Sequence, residues 1–594
     1  MSGVKLKPSD EVALVFLVIL FFGVGGFYLS LAGAYFLACG TFKHGVGIEG
    51  VISVLVALGD TTVLGGQVCA PDTVLVRGLY VTYFCAVIVL CIFGYFTWRR
   101  WMESDKKLIK DLVRREGIAQ RPEVVQKVGD KALASKAKSI RPTVKNPALE
   151  DVGKCLGVSQ GARVWLSAQD TLLLFGPPRS GKGVGFVISE ILDTPGAVIT
   201  TSTRGDNAAA TWKARSAGGR PVVVFDPQGI TGVRSKIRWS PYRGCASADT
   251  AAERAKAIIG ASAMGSGSNN QEWAEAATTI LTYLLHAAAL GQVHISVFTS
   301  WCQSPALARG AVEVLTSAPD AAPGWAQNLE AEVVSDPRVV TSKWMAIKNA
   351  TSGLIVGKIA ELFDVSGDAV SLDPEEFITQ RGTLYLIGTR SGGGAVGPLL
   401  IGLLDDMYSA ASRLANRSPG SRLEPPMRLV LDEIGNFSVW NRLPEVMTSG
   451  GGIGVGASLY LQSSSQAKER WGAEGGAIIV DSANYVIQLG NSKEIDKLQS
   501  FVNLVGEYEK RKESTSYSLQ GGISRSSDTL YRNIISASEL SRLPMGYSFV
   551  LPNAGRPLIM KSEPYFKRAD KDMTKASQDE FVKIQKAGGF LEVG

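Results

Sequence analysis

Two long apolar runs near the N-terminus carry no charged residue, 12–39 and 78–98. An α-helix rises 1.5 Å per residue, so about 20 apolar residues cross the hydrocarbon core of a bilayer. Both runs are predicted membrane-spanning helices. The run Gly50–Leu58 is too short to cross as a helix. Beyond residue 150 the pattern changes. Short apolar runs at 171–175, 196–200, 221–225, 382–387, 428–433, 454–461 and 483–489 alternate with helical stretches. That alternation predicts an α/β fold with a doubly wound, mostly parallel sheet. Between 244 and 370 it stops, and 252–263, 273–290, 305–315 and 339–363 read as helices. The segment is too long for one crossover, so it is expected to be an all-α insertion.

Charge sets the orientation. The chain has a net charge of +7, yet residues 99–147 alone hold 14 Lys and Arg against 6 Asp and Glu. The basic balance therefore belongs to one segment, which argues against a protein that coats nucleic acid over its whole surface. Basic residues crowd the stretch after the second run, whereas 40–77 holds only Lys43 and Arg77. The positive-inside rule then places the N-terminus and 99–594 in the cytoplasm. Tyr80 and Trp98 suit the two interfaces. Gly26, Ser30 and Ala34 have the spacing that lets a neighbouring helix approach, from the same chain or from another subunit. The rival reading is a signal peptide cleaved near Ala32-Gly33-Ala34, but the apolar run is long and Asp10 and Glu11 precede it. None of the seven cysteines forms a CxxC pair, and His44, His286 and His294 lack metal-ligand spacing, so no zinc site is expected. Cys39 and Cys69 fall outside the membrane in this topology, where a disulfide between them is open.

The chemistry begins at Gly176-Pro177-Pro178-Arg179-Ser180-Gly181-Lys182-Gly183, directly after the apolar run 171–175 and before a helical stretch. Strand, glycine-rich turn, lysine and helix form the setting of a phosphate-binding loop, where backbone N–H groups cradle phosphates and Lys182 reaches the β/γ oxygens. Gly183 stands where the standard motif has Ser or Thr, whose hydroxyl binds Mg²⁺. The run Arg428–Glu433 ends in two carboxylates: Asp432 can hold Mg²⁺ through water, and Glu433 can polarise the attacking water. Gln462, at the end of the run 454–461, can sense the γ-phosphate or can simply cap a helix. ATP and Mg²⁺ are the implied cofactors.

Together these features resemble the type IV secretion coupling proteins, the TraG/TraD-like conjugative ATPases. The resemblance rests on an N-terminal transmembrane hairpin, 176–185, Thr201-Ser202-Thr203-Arg204, Val224–Pro227, Trp239-Ser240-Pro241, Leu431-Asp432-Glu433, Leu461-Gln462-Ser463 and Leu543–Gly546. It implies a RecA-like P-loop NTPase divided as follows: a transmembrane hairpin 1–98 with external loop 40–77, a basic linker 99–150, and a first nucleotide-binding part 151–243. The all-α insertion 244–370, a second nucleotide-binding part 371–566 and a tail 567–594 complete it. It implies a hexamer at the cytoplasmic membrane that feeds relaxase-bound DNA to a secretion channel's membrane proteins. The family's trans-acting arginine has no counterpart in Ser449–Gly454. Arg442, Arg470 and Arg532 are candidates, and each reads more readily as a surface residue. Residues 265–270 and 512–528 read as loops and the tail as a frayed end. A receptor for protein substrates and a chromosome-segregation pump are the rival functions, although no winged-helix module is evident for the latter.

Overall fold

The computed structural model describes residues 8–40, 48–57, 60–64, 69, 71–262, 271–367, 369–389, 396–493, 495–517 and 523–591. The expected loop 265–270 lies outside them. The chain divides into two compact units, Met1–Lys107 and Leu108–Gly594.

In the first unit the uncharged runs lie in the helices Pro8–Cys39 and Thr73–Met102. Gly26 is required by close approach: a Cβ there would fall 1.9 Å from the Tyr83 ring. Ser30 and Ala34 are buried on the same face, and the Phe27 and Tyr80 rings meet at 5.2 Å. The small-residue stripe therefore serves packing within the chain. Val81, Phe84, Val89, Phe93 and Phe96 each leave at least half of their surface exposed. Apolar area in water costs about 25 cal/mol per Å², so this helix suits lipid. Among the described residues, Thr73–Met102 is the one helix long and apolar enough to cross a membrane, and Gly25–Cys39 is a shorter apolar stretch. Cys39 and Cys69 form a disulfide with a Cα–Cα distance of 6.1 Å.

The second unit is built on β1 (Gly153–Ser159), β2 (Ala162–Ser167), β3 (Leu172–Phe175), β4 (Val198–Ser202), β5 (Val222–Phe225), β6 (Ile237–Arg238), β7 (Val370–Ser371), β8 (Thr383–Ile387), β9 (Met427–Asp432), β10 (Val455–Leu461), β11 (Tyr485–Leu489), β12 (Glu507–Tyr517), β13 (Ile523–Asn533), β14 (Tyr547–Pro552) and β15 (Leu558–Lys561). Eleven form one mixed sheet in the order β2-β1-β15-β14-β11-β3-β10-β9-β4-β8-β5. The run from β11 to β5 is parallel, and β14, β15, β1 and β2 join antiparallel. Every residue of β3, β4, β5, β8, β10 and β11 is buried. Strands covered on both faces can be apolar throughout, which is why they read as unbroken runs. The hairpin β1–β2 has a weaker alternating pattern and was not anticipated. Its turn, Gln160-Gly161, has positive φ at both residues (48° and 76°), the geometry that matches strand twist.

The helical segment is bracketed by β6 and β7, which pair in parallel, and its helices include Ala248–Gly260, Gln271–Leu290, Arg309–Ser317 and Pro337–Thr351. Its buried side chains, Trp344 among them, join one hydrophobic cluster with the sheet. Three expectations change. From residue 108 onward the basic linker is packed: Arg115 makes a bidentate pair with Glu539, Ala119 N–H donates to Pro557 O at 2.8 Å, and Trp165 N–H to Val128 O at 2.9 Å. The tail is not frayed. The helix Lys571–Ala587 packs on Asp206–Arg215, with Phe581 buried, Trp212 Nε1 donating to Ser577 O and Ser577 Oγ to Ala209 O. Residues 512–517 and 523–528, read as a loop, belong to the antiparallel ribbon β12–β13. Its Ser-rich composition hid a pairing that backbone hydrogen bonds make.

Beneath the sheet lies a sealed polar cluster. Glu190 accepts from Arg428 Nε at 2.6 Å, from Ser458 Oγ at 2.5 Å and from the Tyr460 hydroxyl. Burial alone would raise its carboxyl pKa, but Arg428, Lys154 and these donors hold it below the usual range. Lys154 donates to Phe186 O at 2.7 Å, and burial pushes its ammonium down to about 8. Arg428→Met would strand the buried carboxylate. Breaking such a pair costs about 3–5 kcal/mol, so denaturant unfolding of the detergent-solubilised chain is expected to show a loss of that size. A change under about 1 kcal/mol would mean that the pair is dispensable.

Candidate functional site

β3 is a four-residue apolar strand that ends at Phe175, and the turn Gly176–Gly183 follows at its carboxyl end. Two features shape the turn. Gly176 has no room for a side chain, because a Cβ would lie 2.6 Å from Ser180 Oγ and 2.9 Å from Leu489. Arg179 and Gly181 have φ of 63° and 95°, so the peptide planes curl into a concave backbone nest of the kind that binds anions. Ser180 Oγ is buried without a hydrogen-bond partner. An unsatisfied buried hydroxyl is costly, and a phosphate oxygen in the nest would satisfy it. The residues present thus fit a nucleotide phosphate. Lys182 is buried and spans its own loop, donating to Gly176 O and, at 3.3 Å, to Pro177 O. Burial lowers its pKa, and the negative charges of Asp432 and Glu433 act to raise it. Gly183 opens a π-turn, Gly183–Val187, that leads into the helix Ile188–Asp193. Nothing lies within 4 Å of where its Cβ would be.

The strand order brings the other residues to this turn. β10 lies between β3 and β9, so Gln462, directly after β10, stands between the glycine-rich turn and the acidic pair at the end of β9. Burial, then repulsion from Glu433, pushes the Asp432 carboxyl up to about 7. Glu433 leaves the strand with φ 53° and ψ 24°, left-handed geometry that costs a non-glycine residue about 1–2 kcal/mol. Such strain clusters at functional sites. Gln462, Pro177, Pro178, Arg470, Asn491 and Lys493 line a cavity of about 510 Å³. The helix Ser464–Asp481 has Ser463 at its N-cap, with no side-chain cap bond; Gln466 Oε1 accepts from Gln462 N–H at 2.9 Å, and its amide donates to Asn436 at 3.1 Å.

The arginines separate. Arg442 is tied to Asp405 at 3.2 Å and to Ser409 at 2.9 Å. Arg532 sits in the ribbon opposite Tyr508. Arg470 is in the cavity, beside the turn of its own chain. Sequence reasoning did not assign the residues that hold the acidic pair, by backbone or by side chain. Asn207 Nδ2 donates to Asp432 Oδ2 at 3.2 Å, Thr201 Oγ1 donates to Asp432 O at 2.8 Å, and Thr203 Oγ1 donates to the Glu433 carboxylate. The signal available was Thr201-Ser202-Thr203-Arg204 itself, a polar cluster at a buried strand's end.

Residues 122–302 match the family model described as Type IV secretory system Conjugative DNA transfer, and residues 426–545 the one described as TraM recognition site of TraD and TraG. The chain belongs to the type IV secretion coupling proteins. It is therefore a component of conjugative DNA transfer. The plasmid coupling protein TrwB in complex with the ATP analogue ADPNP is similar in structure, with 15% identity, a TM-score of 0.52 and coverage of 72% of this chain and 92% of that one. TrwB in complex with ADP and Mg²⁺ matches at 15% identity and a TM-score of 0.48, with the same coverage. VirB4 of Thermoanaerobacter pseudethanolicus matches at 12% identity and a TM-score of 0.38, covering 69% of this chain and 96% of that one. At these identities the likeness is one of fold, and the first comparison carries it. No curated protein matches the sequence.

The raised Asp432 pKa has a stability consequence in this coupling protein. Its unfolded value is near 3.9, so ionising the folded carboxyl opposes folding; the effect is full above about 7 and gone below the unfolded value. Asp432→Asn is expected to raise the nucleotide-free melting temperature by a few degrees at pH 8. The gain should shrink as the pH falls toward 4. Thermal scans across that range check it, and an equal or lower melting temperature at pH 8 would contradict it.

Proposed function

We propose that this coupling protein is an ATP-hydrolysing motor that recruits relaxase-bound DNA and drives it into a type IV secretion channel. One observation carries the reading: Lys182, Asp432, Glu433 and Gln462 converge at the carboxyl ends of three neighbouring parallel strands, beside a backbone nest holding an unsatisfied buried hydroxyl. Crevices at strand carboxyl ends are where open α/β sheets bind ligands. ATP would lie with its phosphates on Gly176–Gly183, with Lys182 on the β/γ oxygens. Asp432 would hold Mg²⁺ through water. The bound ion would neutralise charge developing on the phosphates. Glu433 would polarise the attacking water, and Gln462 would report the γ-phosphate. The TrwB complexes, with an ATP analogue and with ADP and Mg²⁺, support this choice of ligands.

The same reading makes the protein a two-span membrane protein with the N-terminus and motor in the cytoplasm, working as a hexamer beside the channel's membrane proteins. The uncharged runs 12–39 and 78–98 and the basic stretch after the second support it. The TraM recognition description of the matched family supports docking of relaxase–DNA complexes.

Turnover of the detergent-solubilised chain, with and without single- and double-stranded DNA, is the test. Low basal hydrolysis should rise with DNA. Lys182→Ala should abolish it, and Glu433→Gln should trap bound ATP and hydrolyse it only slowly. Lys182-dependent hydrolysis indifferent to DNA would favour the receptor for protein substrates, and hydrolysis that survives Lys182→Ala would sink the site. Gly183 gives a separate check. The space beside it accepts a hydroxymethyl group, so Gly183→Ser should fold normally and lower the Mg²⁺ concentration needed for half-maximal hydrolysis. An unchanged requirement would mean that the hydroxyl does not reach the ion.

A further inference from the structure

We propose that Thr203 is the positioning residue for Glu433, directing one carboxylate oxygen toward the water that attacks ATP. The inference rests on the proposed hydrolysis and assigns it a residue outside the P-loop and acidic strand. β4 pairs with β9 only as far as Thr201 opposite Leu431. Past that point the two chains separate, and the backbone of Glu433 turns into the left-handed region. Sheet hydrogen bonding therefore no longer fixes the glutamate, and its side chain needs another constraint. Thr203 supplies it: Oγ1 donates to Oε2 of Glu433. A carboxylate held at one oxygen has its second oxygen fixed in direction. A misplacement of about 1 Å at a reacting group can cost roughly 100-fold in rate.

The same short segment also fixes the neighbour. Thr201 holds the Asp432 carbonyl and Asn207 its carboxylate. The segment is in turn braced from behind. Asn207 belongs to the helix Asp206–Arg215, on which the carboxy-terminal helix Lys571–Ala587 is packed through Trp212, Ser577 and Phe581, with Lys213 paired to Glu580 at 2.5 Å. Thr203 is thus the tip of a rigid support and is suited to aiming a side chain.

The experiment compares Thr203→Val, nearly isosteric but without the hydroxyl, with Thr203→Ser, which restores it. Both are made in the full chain and again in Glu433→Gln, with Lys182→Ala as the blank. Thr203→Val should lower kcat by about 10- to 100-fold while KM for ATP stays within about twofold, and Thr203→Ser should recover most of the rate. In the Glu433→Gln background Thr203→Val should change the single-turnover rate no further, because residues that act as a unit are not additive. A wild-type or faster kcat in Thr203→Val would overturn the proposal. So would a loss that serine does not rescue, a rise in KM alone, or a loss that compounds with Glu433→Gln. Absence of Lys182-dependent turnover in the wild type would overturn the proposed function itself and this inference with it, a result distinct from an active enzyme indifferent to Thr203.

Discussion

The Glu190 carboxylate, sealed under the sheet and held by Arg428, Ser458 and Tyr460, ties together the parts that must stay in register. Glu190 sits on the helix that continues from the phosphate loop. Arg428 lies on β9, the strand that ends in the acidic pair, and Ser458 and Tyr460 lie on β10, the strand that ends at Gln462. A charge taken out of water is tolerated only when its partners are well placed. That requirement penalises any slip of the loop helix against either strand.

On that base the candidate crevice is a matter of order and strain. Parallel strands bring their carboxyl ends to one edge, and the placement of β10 between β3 and β9 sets an amide between the phosphate loop and the carboxylates. Two residues at the edge carry local cost. Asp432 is a desolvated acid beside another acid, and Glu433 is a non-glycine residue in left-handed geometry. Both costs lie where phosphate charge and a divalent ion would be met, and both are carried by the packed sheet beneath.

The membrane unit follows a different physics. Its helices are apolar on faces that water would penalise, and the close approach at Gly26 depends on the missing side chain beside Tyr83. The disulfide between Cys39 and Cys69 closes the segment between the helices. That pairing was open in the sequence because spacing alone does not bring two sulfurs together.

The sequence by itself determined the class of the fold and the elements on which the candidate site residues sit. Strands buried on both faces are largely apolar, and a glycine-rich turn with a lysine is a pattern of fixed local spacing, so 171–183 and 428–433 were legible. Local pattern also located the helical segment and the uncharged runs. Only the tertiary structure decided which distant groups meet. The grip of Thr203 and Asn207 on the carboxylates spans more than 200 residues of chain. The pairing of Arg428 with Glu190 does the same, as does the docking of the carboxy-terminal helix on Asp206–Arg215. The edge hairpin β1–β2 and the ribbon β12–β13 escaped notice because backbone pairing, more than apolar pattern, defines them. Such contacts leave no periodic trace in the sequence, since they depend on the order of strands in space and not on their order along the chain.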